Sequence, residues 1–418
     1  MTIDLIANTA NFIMMKISQV AFIFLLIISV NVDVQAQSDT AATTQQNTHL
    51  LFPTGRLAVG TTVFHWTDSS RHEVLNEEFR KVAVQLWYPT RDTLDSQRAP
   101  YREGLEYLES VLNQKTIELY KAVKTNSWLN APLSNVEDSY PIIIFSHGLG
   151  MSRAEYSSLA EELASKGFIV AGIDHPYGAD AVVLPDGRVI KQDPQWNVIT
   201  PPEYSIKERF RFTDERTEIW AADARFVLNR LEKLNRDGRF AGTLNLEQIG
   251  IFGHSVGGKA AVVACMLDDR FDACLNLDGW PIHSFVEVNG LNQPFMFIED
   301  IRDVTEEELE AWGASIEEYA RNMRDLQLRK ERLLEAMESN SYHVKIRGIR
   351  HLYFSDIPYI NRDAIHPDAA LEPRVALQII RKYMVVFFME QLYKKDTELL
   401  HPQSTIRIYG SEQYLNKQ

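Results

Sequence analysis

The sequence predicts an α/β protein: a mostly parallel central sheet, helices on both faces, and a helical insertion before the last core strand. Three observations carry that expectation. Residues 142–145 (Ile, Ile, Ile, Phe) are four consecutive large apolar residues, as a strand buried on both faces requires. Residues 140–146, a helical stretch near 153–165, a stop at Gly167 and a second apolar run at 168–174 make a strand–loop–helix–strand unit. Finally, residues 249–252 run as a strand into Gly253-His254-Ser255-Val256-Gly257, and an apolar helix follows from Lys259. A strand that turns at once into a helix forces the serine between them into a strained conformation. Its oxygen then stands at the positive end of a helix whose first N–H groups are free.

Length and charge narrow the class further. A chain of 418 residues that is 45 % hydrophobic can bury a sizeable core in one elaborated domain. A formal net charge of −14 argues against nucleic-acid binding, which needs clustered Lys and Arg, and against strong attraction to anionic membranes. Only Cys265 and Cys274 are present, and two buried free thiols are the expectation, with a disulfide as the alternative in an oxidising compartment. No Cys/His spacing matches a structural zinc site.

Taken in order, the chain opens with Lys16, an apolar run of 11 residues (20–30) and small residues ending at Ala36. That pattern reads as a signal peptide over 1–36, cleaved after Ala36, so a secreted or periplasmic location is expected. The polar stretch 37–49 reads as a disordered leader, and 50–395 as the catalytic domain. Alternating apolar and polar residues at 57–66 and 82–88 predict the opening antiparallel strands. Leu105, Leu108, Leu112, Ile117, Leu119 and Val123 recur among charges over 104–124. They predict an amphipathic helix or helix pair, serving as a lid or as outer-layer packing. Residues 203–235 read as a long charged helix offering Trp220, Phe226, Leu228 and Leu231 to the sheet. Strands are expected at 246–253, 273–277, 294–298 and 344–347, with a helical insertion over 305–338 between the last two. An apolar helix over 374–393 precedes an unstructured tail, 396–418.

A serine hydroxyl needs a base, and the base needs an orienting carboxylate. In such a sheet all three stand at the carboxyl ends of strands, in the order Ser, acid, His. His351, in the loop after the last core strand, is the favoured base. His343 lies within that strand, His366 and His401 come later, and His147, His175 and His254 precede Ser255. For the acid, position alone leaves Asp278 and the Glu299-Asp300 pair open, whereas Asp268, Asp269 and Asp272 would face the wrong edge. The Val256 amide and the Leu149 amide, in the loop His147-Gly148-Leu149-Gly150, are the candidate oxyanion donors.

Several segments together resemble the secreted, calcium-independent platelet-activating-factor acetylhydrolase family, also called group VII phospholipase A2. They are Phe145-Ser146-His147-Gly148-Leu149-Gly150, Gly167-Phe168-Ile169-Val170-Ala171, Gly253-His254-Ser255-Val256-Gly257-Gly258, Arg270-Phe271-Asp272 with Leu277-Asp278-Gly279-Trp280, and Ile346-Arg347-Gly348 with His351. The resemblance implies an α/β-hydrolase fold, Ser255, Asp278 and His351 as a triad, and Leu149 and Val256 as oxyanion donors. It also implies a short-acyl or oxidised glycerophospholipid substrate and no metal or organic cofactor. Where the family carries a strongly apolar docking helix, residues 104–124 alternate with Glu and Lys, so at most weak peripheral membrane contact is expected. A general short-chain esterase or polyesterase of the dienelactone-hydrolase or cutinase kind is the alternative, and a non-catalytic exported binding protein the remote one.

Overall fold

The structure is a computed structural model. It describes residues 49–73, 75–193, 206–279, 289–301, 328–333, 341–397 and 405–409, with isolated positions 286, 317, 324 and 400. Its described strands are β1 (Ala58–His72), β2 (Phe79–Thr90), β3 (Arg98–Pro100), β4 (Lys124–Leu129), β5 (Tyr140–Ser146), β6 (Ile169–Asp174), β7 (Ala181–Val183), β8 (Val189–Lys191), β9 (Leu244–His254), β10 (Ala273–Leu277), β11 (Phe295–Ile301), β12 (Ser341–Arg347) and β13 (Thr405–Tyr409). The helices that matter here are α1 (Gln114–Ala122), α2 (Ser157–Ser165), α3 (Ile206–Leu234), α4 (Val256–Leu267) and α5 (Pro373–Gln391).

One sheet takes all the strands except the β7–β8 hairpin, in the order β13-β12-β11-β10-β9-β5-β6-β2-β1-β4-β3. From β6 to β13 every neighbour is parallel, while β1 and β2 form an antiparallel pair and β2 runs antiparallel to β6. The chain leaves β5 toward β6 on one side and returns to β9 on the other. Loops from the carboxyl ends of β5 and β9 therefore diverge, which opens a crevice at the switch point, where open α/β sheets bind ligands.

The apolar run of β5 is buried on both sides. Ile143 and Phe145 join Leu159 and Leu163 of α2 and Leu377, Phe387 and Phe388 of α5 on one face. Ile142 and Ile144 meet Val227, Leu228 and Leu231 of α3 and Ala261 and Val262 of α4 on the other. Because side chains alternate along a strand, a continuous apolar run can feed two cores at once. Of the residues offered by α3, Trp220, Leu228 and Leu231 are buried, and Phe226 is only partly so.

The structure corrects three expectations. Cys265 and Cys274 are not free thiols but a disulfide, with Cα atoms 6.6 Å apart. The nine-residue spacing spans a helix end, a turn and a strand start, which folds one cysteine back over the other; spacing alone does not reveal that reversal. The expected unstructured tail contributes β13, paired in parallel with β12 from His343↔Thr405 to Arg347↔Tyr409. An edge strand this short satisfies its backbone only through its neighbour, a long-range pairing that local pattern does not disclose. His49, expected at the end of the disordered leader, forms a bridge with Lys124. Residues 104–124 hold two helical pieces, a 3₁₀ turn at Leu105–Tyr107 and the short α1, in keeping with the helix-pair alternative. Their buried Leu105, Leu108, Tyr120 and Val123 pack with Tyr101 and Ile360 as outer-layer structure.

The signal peptide and the Trp280 position lie outside the described residues, as does most of the 305–338 insertion. Within the insertion, Glu317, Arg324 and residues 328–333 are helical. No helix of the described residues is long and apolar enough to cross a membrane.

Candidate active site

Ser255 sits between β9 and α4 with φ 55° and ψ −122°, a left-handed conformation uncommon for a residue with a Cβ. The flanking glycines are required by close approach. A Cβ on Gly253 would lie 2.2 Å from the Gly257 carbonyl oxygen, and one on Gly257 would lie 2.2 Å from that of Ser146. Both obstacles are backbone, so no side chain could move aside. The Ser255 N–H donates to Leu277 O at 2.9 Å, which holds the serine against the end of β10. A Cβ on Gly279 would meet Ser255 O at 2.3 Å, so the chain just past Asp278 lies directly against the serine backbone.

Asp278 follows β10 and is itself left-handed, with φ 54°. Its N–H donates to Ile298 O at 2.8 Å, and its carboxylate Oδ2 accepts from His351 Nδ1 at 2.5 Å. Burial alone would push the His351 imidazole down. The Asp278 carboxylate, helped by Asp300, outweighs burial and holds it above the ordinary histidine value of 6.5. With Nδ1–H committed to the carboxylate, His351 Nε2 is left buried and makes no hydrogen bond among the described residues. The His254 ring, next to Ser255 in the chain, lies 4.4 Å from the His351 ring.

The other acid candidates have different partners. Glu299 points into a buried cluster, where it accepts from His343 Nε2 at 2.7 Å and pairs with Lys330 and, at 3.9 Å, Lys345. Burial would raise its pKa, but His343 and Lys330 bring it down to about 2. Asp300 helps raise the His351 pKa through its charge, and its N–H donates to Asp278 Oδ1 at 3.4 Å. Asp272 accepts from Ile249 N at 2.8 Å, far down β9 from Ser255.

The loop after β5 is pinned on both sides of Leu149. Gly148 N–H donates to Tyr156 Oη at 3.0 Å, and Gly150 N–H to Gly178 O at 2.8 Å. Leu149 and Val256 pack, half-buried, against the same small cluster of Trp220 and Ala260. Leu75, Tyr177 and Ile219 join them, so the two candidate amides share an apolar surround.

Beneath this loop lies a second serine–histidine–aspartate chain that sequence reasoning did not find. His175 Nδ1 donates to Asp223 Oδ2 at 2.8 Å, and its Nε2 lies 3.0 Å from Ser146 Oγ. Ser146 is wholly buried, in ordinary strand geometry within β5, and no helix begins at it. Asp223 also takes two hydrogen bonds of 2.6 Å from Arg80, whose second partner is Glu73 at 2.7 Å, and one of 2.9 Å from Arg71. The His175 ring stacks on Trp220 at 4.1 Å. Burial pushes both His175 and His147 down, His147 to about 3, so neither carries charge at neutral pH. This network ties β2, α3, β6 and β5 together under the site. An Asp223→Asn variant is expected to lose about 3 kcal/mol of stability, because Arg80 then keeps one carboxylate partner in a buried setting. Urea unfolding checks this, and a midpoint within error of the parent would contradict it.

A largely parallel sheet with a strained serine on a strand–helix turn at its switch point defines an α/β-hydrolase. Residues 42–404 match the family described as platelet-activating factor acetylhydrolase, isoform II, and the chain belongs to that family. It is 26 % identical over 339 residues to a platelet-activating factor acetylhydrolase of Cavia porcellus, covering 74 % of this chain and 72 % of that one. A probable 1-alkyl-2-acetylglycerophosphocholine esterase of Arthroderma benhamiae is 27 % identical over 389 residues, covering 84 % and 90 %. Among solved structures, a ferulic acid esterase from Streptomyces cinnamoneus superposes with a TM-score of 0.67 at 26 % identity, covering 85 % of this chain and 96 % of that one. The chain is a carboxylic ester hydrolase.

Proposed function

We propose that Ser255, His351 and Asp278 perform this hydrolysis on acetyl- or other short-acyl glycerophospholipids. The carrying observation is the His351 imidazole, fixed by Asp278 at 2.5 Å, with its other nitrogen buried and uncommitted beside the Ser255 turn. Ser255 Oγ attacks the acyl carbonyl carbon, and its proton passes to His351 Nε2. The Leu149 and Val256 amides hold the oxyanion. The tetrahedral intermediate collapses, and the departing alkoxide takes the proton from Nε2. Water, deprotonated in turn by His351, then attacks the acyl carbon; the C–Oγ bond breaks, Ser255 Oγ takes the proton back from Nε2, and the carboxylic acid leaves. No metal or organic cofactor enters these steps.

The names of the relatives, one for platelet-activating factor and one for a 1-alkyl-2-acetylglycerophosphocholine, support a phospholipid, and the apolar surround of Leu75, Tyr177 and Ile219 suits a short acyl chain. Likeness to a ferulic acid esterase favours a second reading, a general esterase indifferent to the headgroup. Purified residues 37–418 decide between them: kcat/KM is measured for acetyl, butyryl and octanoyl esters, each on a glycerophosphocholine and on a simple alcohol. The phospholipid reading expects at least a tenfold preference for the acetylated glycerophosphocholine; equal values for both alcohols would replace it with the general esterase.

Export through cleavage after Ala36 belongs to the same proposal. It is supported by the short apolar run at 20–30 and by the Cys265–Cys274 bond, which suits an oxidising compartment. The exported protein is expected to begin at Gln37 by N-terminal sequencing, and retention of residues 1–36 would contradict it.

A further inference from the structure

We propose that Tyr156 is a positioning residue whose hydroxyl locks the oxyanion loop to the serine turn. The inference rests on the reading of Ser255 and Leu149 given above and adds a residue to it. Tyr156 leads into α2, and its ring is wholly buried, 4.8 Å from the Phe145 ring of β5. Its oxygen accepts the Gly148 N–H at 3.0 Å and lies 2.7 Å from His254 Nδ1. One atom thus joins the residue before Leu149 to the residue before Ser255, two points separated by about a hundred positions in the chain.

The space around this junction is filled. A Cβ on Gly148 would stand 3.0 Å from both His254 Nδ1 and the Tyr156 oxygen, and 3.3 Å from Met151 Sδ. The loop therefore has no slack on that side, while Gly150 is held on the other by Gly178 O. Burial keeps the phenol protonated, and burial together with the adjacent His351 keeps His254 neutral. A neutral acceptor on His254 and a protonated phenol form a stable pair at the working pH. His254 in turn lies 4.4 Å from the His351 ring and 5.6 Å from Phe354, so the same oxygen steadies the neighbour of the base.

The consequence concerns charge that appears only in the transition state. A donor aimed at an oxyanion contributes through its direction, and the direction of the Leu149 N–H is set by the peptide plane that follows Gly148. Gly148 O is also held, by Met151 N–H at 3.1 Å and His147 Nδ1 at 2.7 Å, so removing the phenol oxygen takes away one of three bonds on Gly148 and loosens the aim of the Leu149 N–H without releasing the loop. The ester is bound as before, and the oxyanion is held less well. A rise in KM alone is not what this predicts.

The test uses Tyr156→Phe in the full chain, with active sites counted by organophosphate titration so that misfolded protein does not enter the rate. We expect kcat per titrated serine to fall about 30-fold, less than the roughly 10²–10³ that outright loss of one oxyanion donor brings, because the Leu149 amide is misaimed rather than removed. KM should stay within about twofold, and a trifluoromethyl ketone that forms a serine adduct should bind about 30-fold more weakly. Unchanged kcat per site and unchanged ketone affinity would overturn the proposal. So would a change confined to KM. If the phenylalanine variant does not fold, His254→Leu removes the other end of the bond, and full ketone affinity in that variant would overturn it equally. Organophosphate labelling separates the two levels. If Ser255 is labelled and Tyr156→Phe is inert, only the positioning role fails; if Ser255 is not labelled, the active-site reading fails with it.

Discussion

Ser255→Ala is expected to lose at least about 10⁴-fold in kcat on a short-chain nitrophenyl ester, while the fold is retained. The magnitude follows from what remains: binding and the oxyanion donors still act, but no acyl-enzyme can form. Retention of the fold follows from the backbone. Serine and alanine both carry a Cβ, so the strain at φ 55° is the same before and after. The Ser255 N–H bond to Leu277 O is also untouched. Unfolding midpoints should agree within error, and His351→Ala added to Ser255→Ala should cost little more, because the two act as a unit. Turnover within tenfold of the parent would remove Ser255 from the mechanism.

The second large effect is expected from Asp278→Asn, in rate and in pH dependence together. The amide preserves the shape of the carboxylate but can donate to Nδ1, which favours the wrong imidazole tautomer; a loss of about 10⁴-fold in kcat is expected. The pH dependence has a definite sign. His351 must be neutral to accept the serine proton, and its pKa is held above 6.5 against the pull of burial. The acid limb of kcat/KM in the parent should therefore have its midpoint above pH 6.5, with activity rising as pH increases through it. Removing the carboxylate removes the main force opposing burial, so the limb should move to lower pH. Stability runs the other way. The pairing favours the imidazolium, so its contribution is present below about pH 6.5 and fades as pH rises through the folded-state value. Asp300→Asn, which removes the weaker of the two carboxylate influences that raise the His351 pKa, should shift the limb less than Asp278→Asn does and leave kcat within a few-fold. If Asp300→Asn proves the damaging change and Asp278→Asn the mild one, the orienting role belongs to residue 300.

Local chemistry made much of this legible beforehand. Gly253-His254-Ser255-Val256-Gly257 between a strand and a helix shows the turn, because only glycine allows the backbone of Ser146 and that of Gly257 to come so close. His351 could be ranked first by its place after the last core strand. Tyr156, Asp223 and Arg80 were invisible to the same reasoning. Each is a common residue in an unremarkable stretch, and its role exists only through a partner far along the chain: 98 positions for Tyr156 with His254 and 143 for Arg80 with Asp223. A sequence signal could have come from His175, a histidine directly after a buried strand at the carboxyl edge of the sheet. It was passed over because it precedes the serine.

By itself, then, the order of residues determined a parallel sheet, the serine turn and the short list of histidines and acids, since strand burial and turn geometry depend on neighbours within a few positions. Which acid meets the imidazole was not decidable at that level. Asp278 and Glu299 both stand at strand ends, and only the register of β10 beside β9 and β11 turns one toward His351 and the other toward His343 and Lys330. The same holds for the joined cysteines, for β13, and for a second Ser-His-Asp chain that lacks a strained turn and lies wholly buried. Distances across a sheet are set by packing of distant segments, so tertiary structure alone separates the partly accessible arrangement from the wholly buried one.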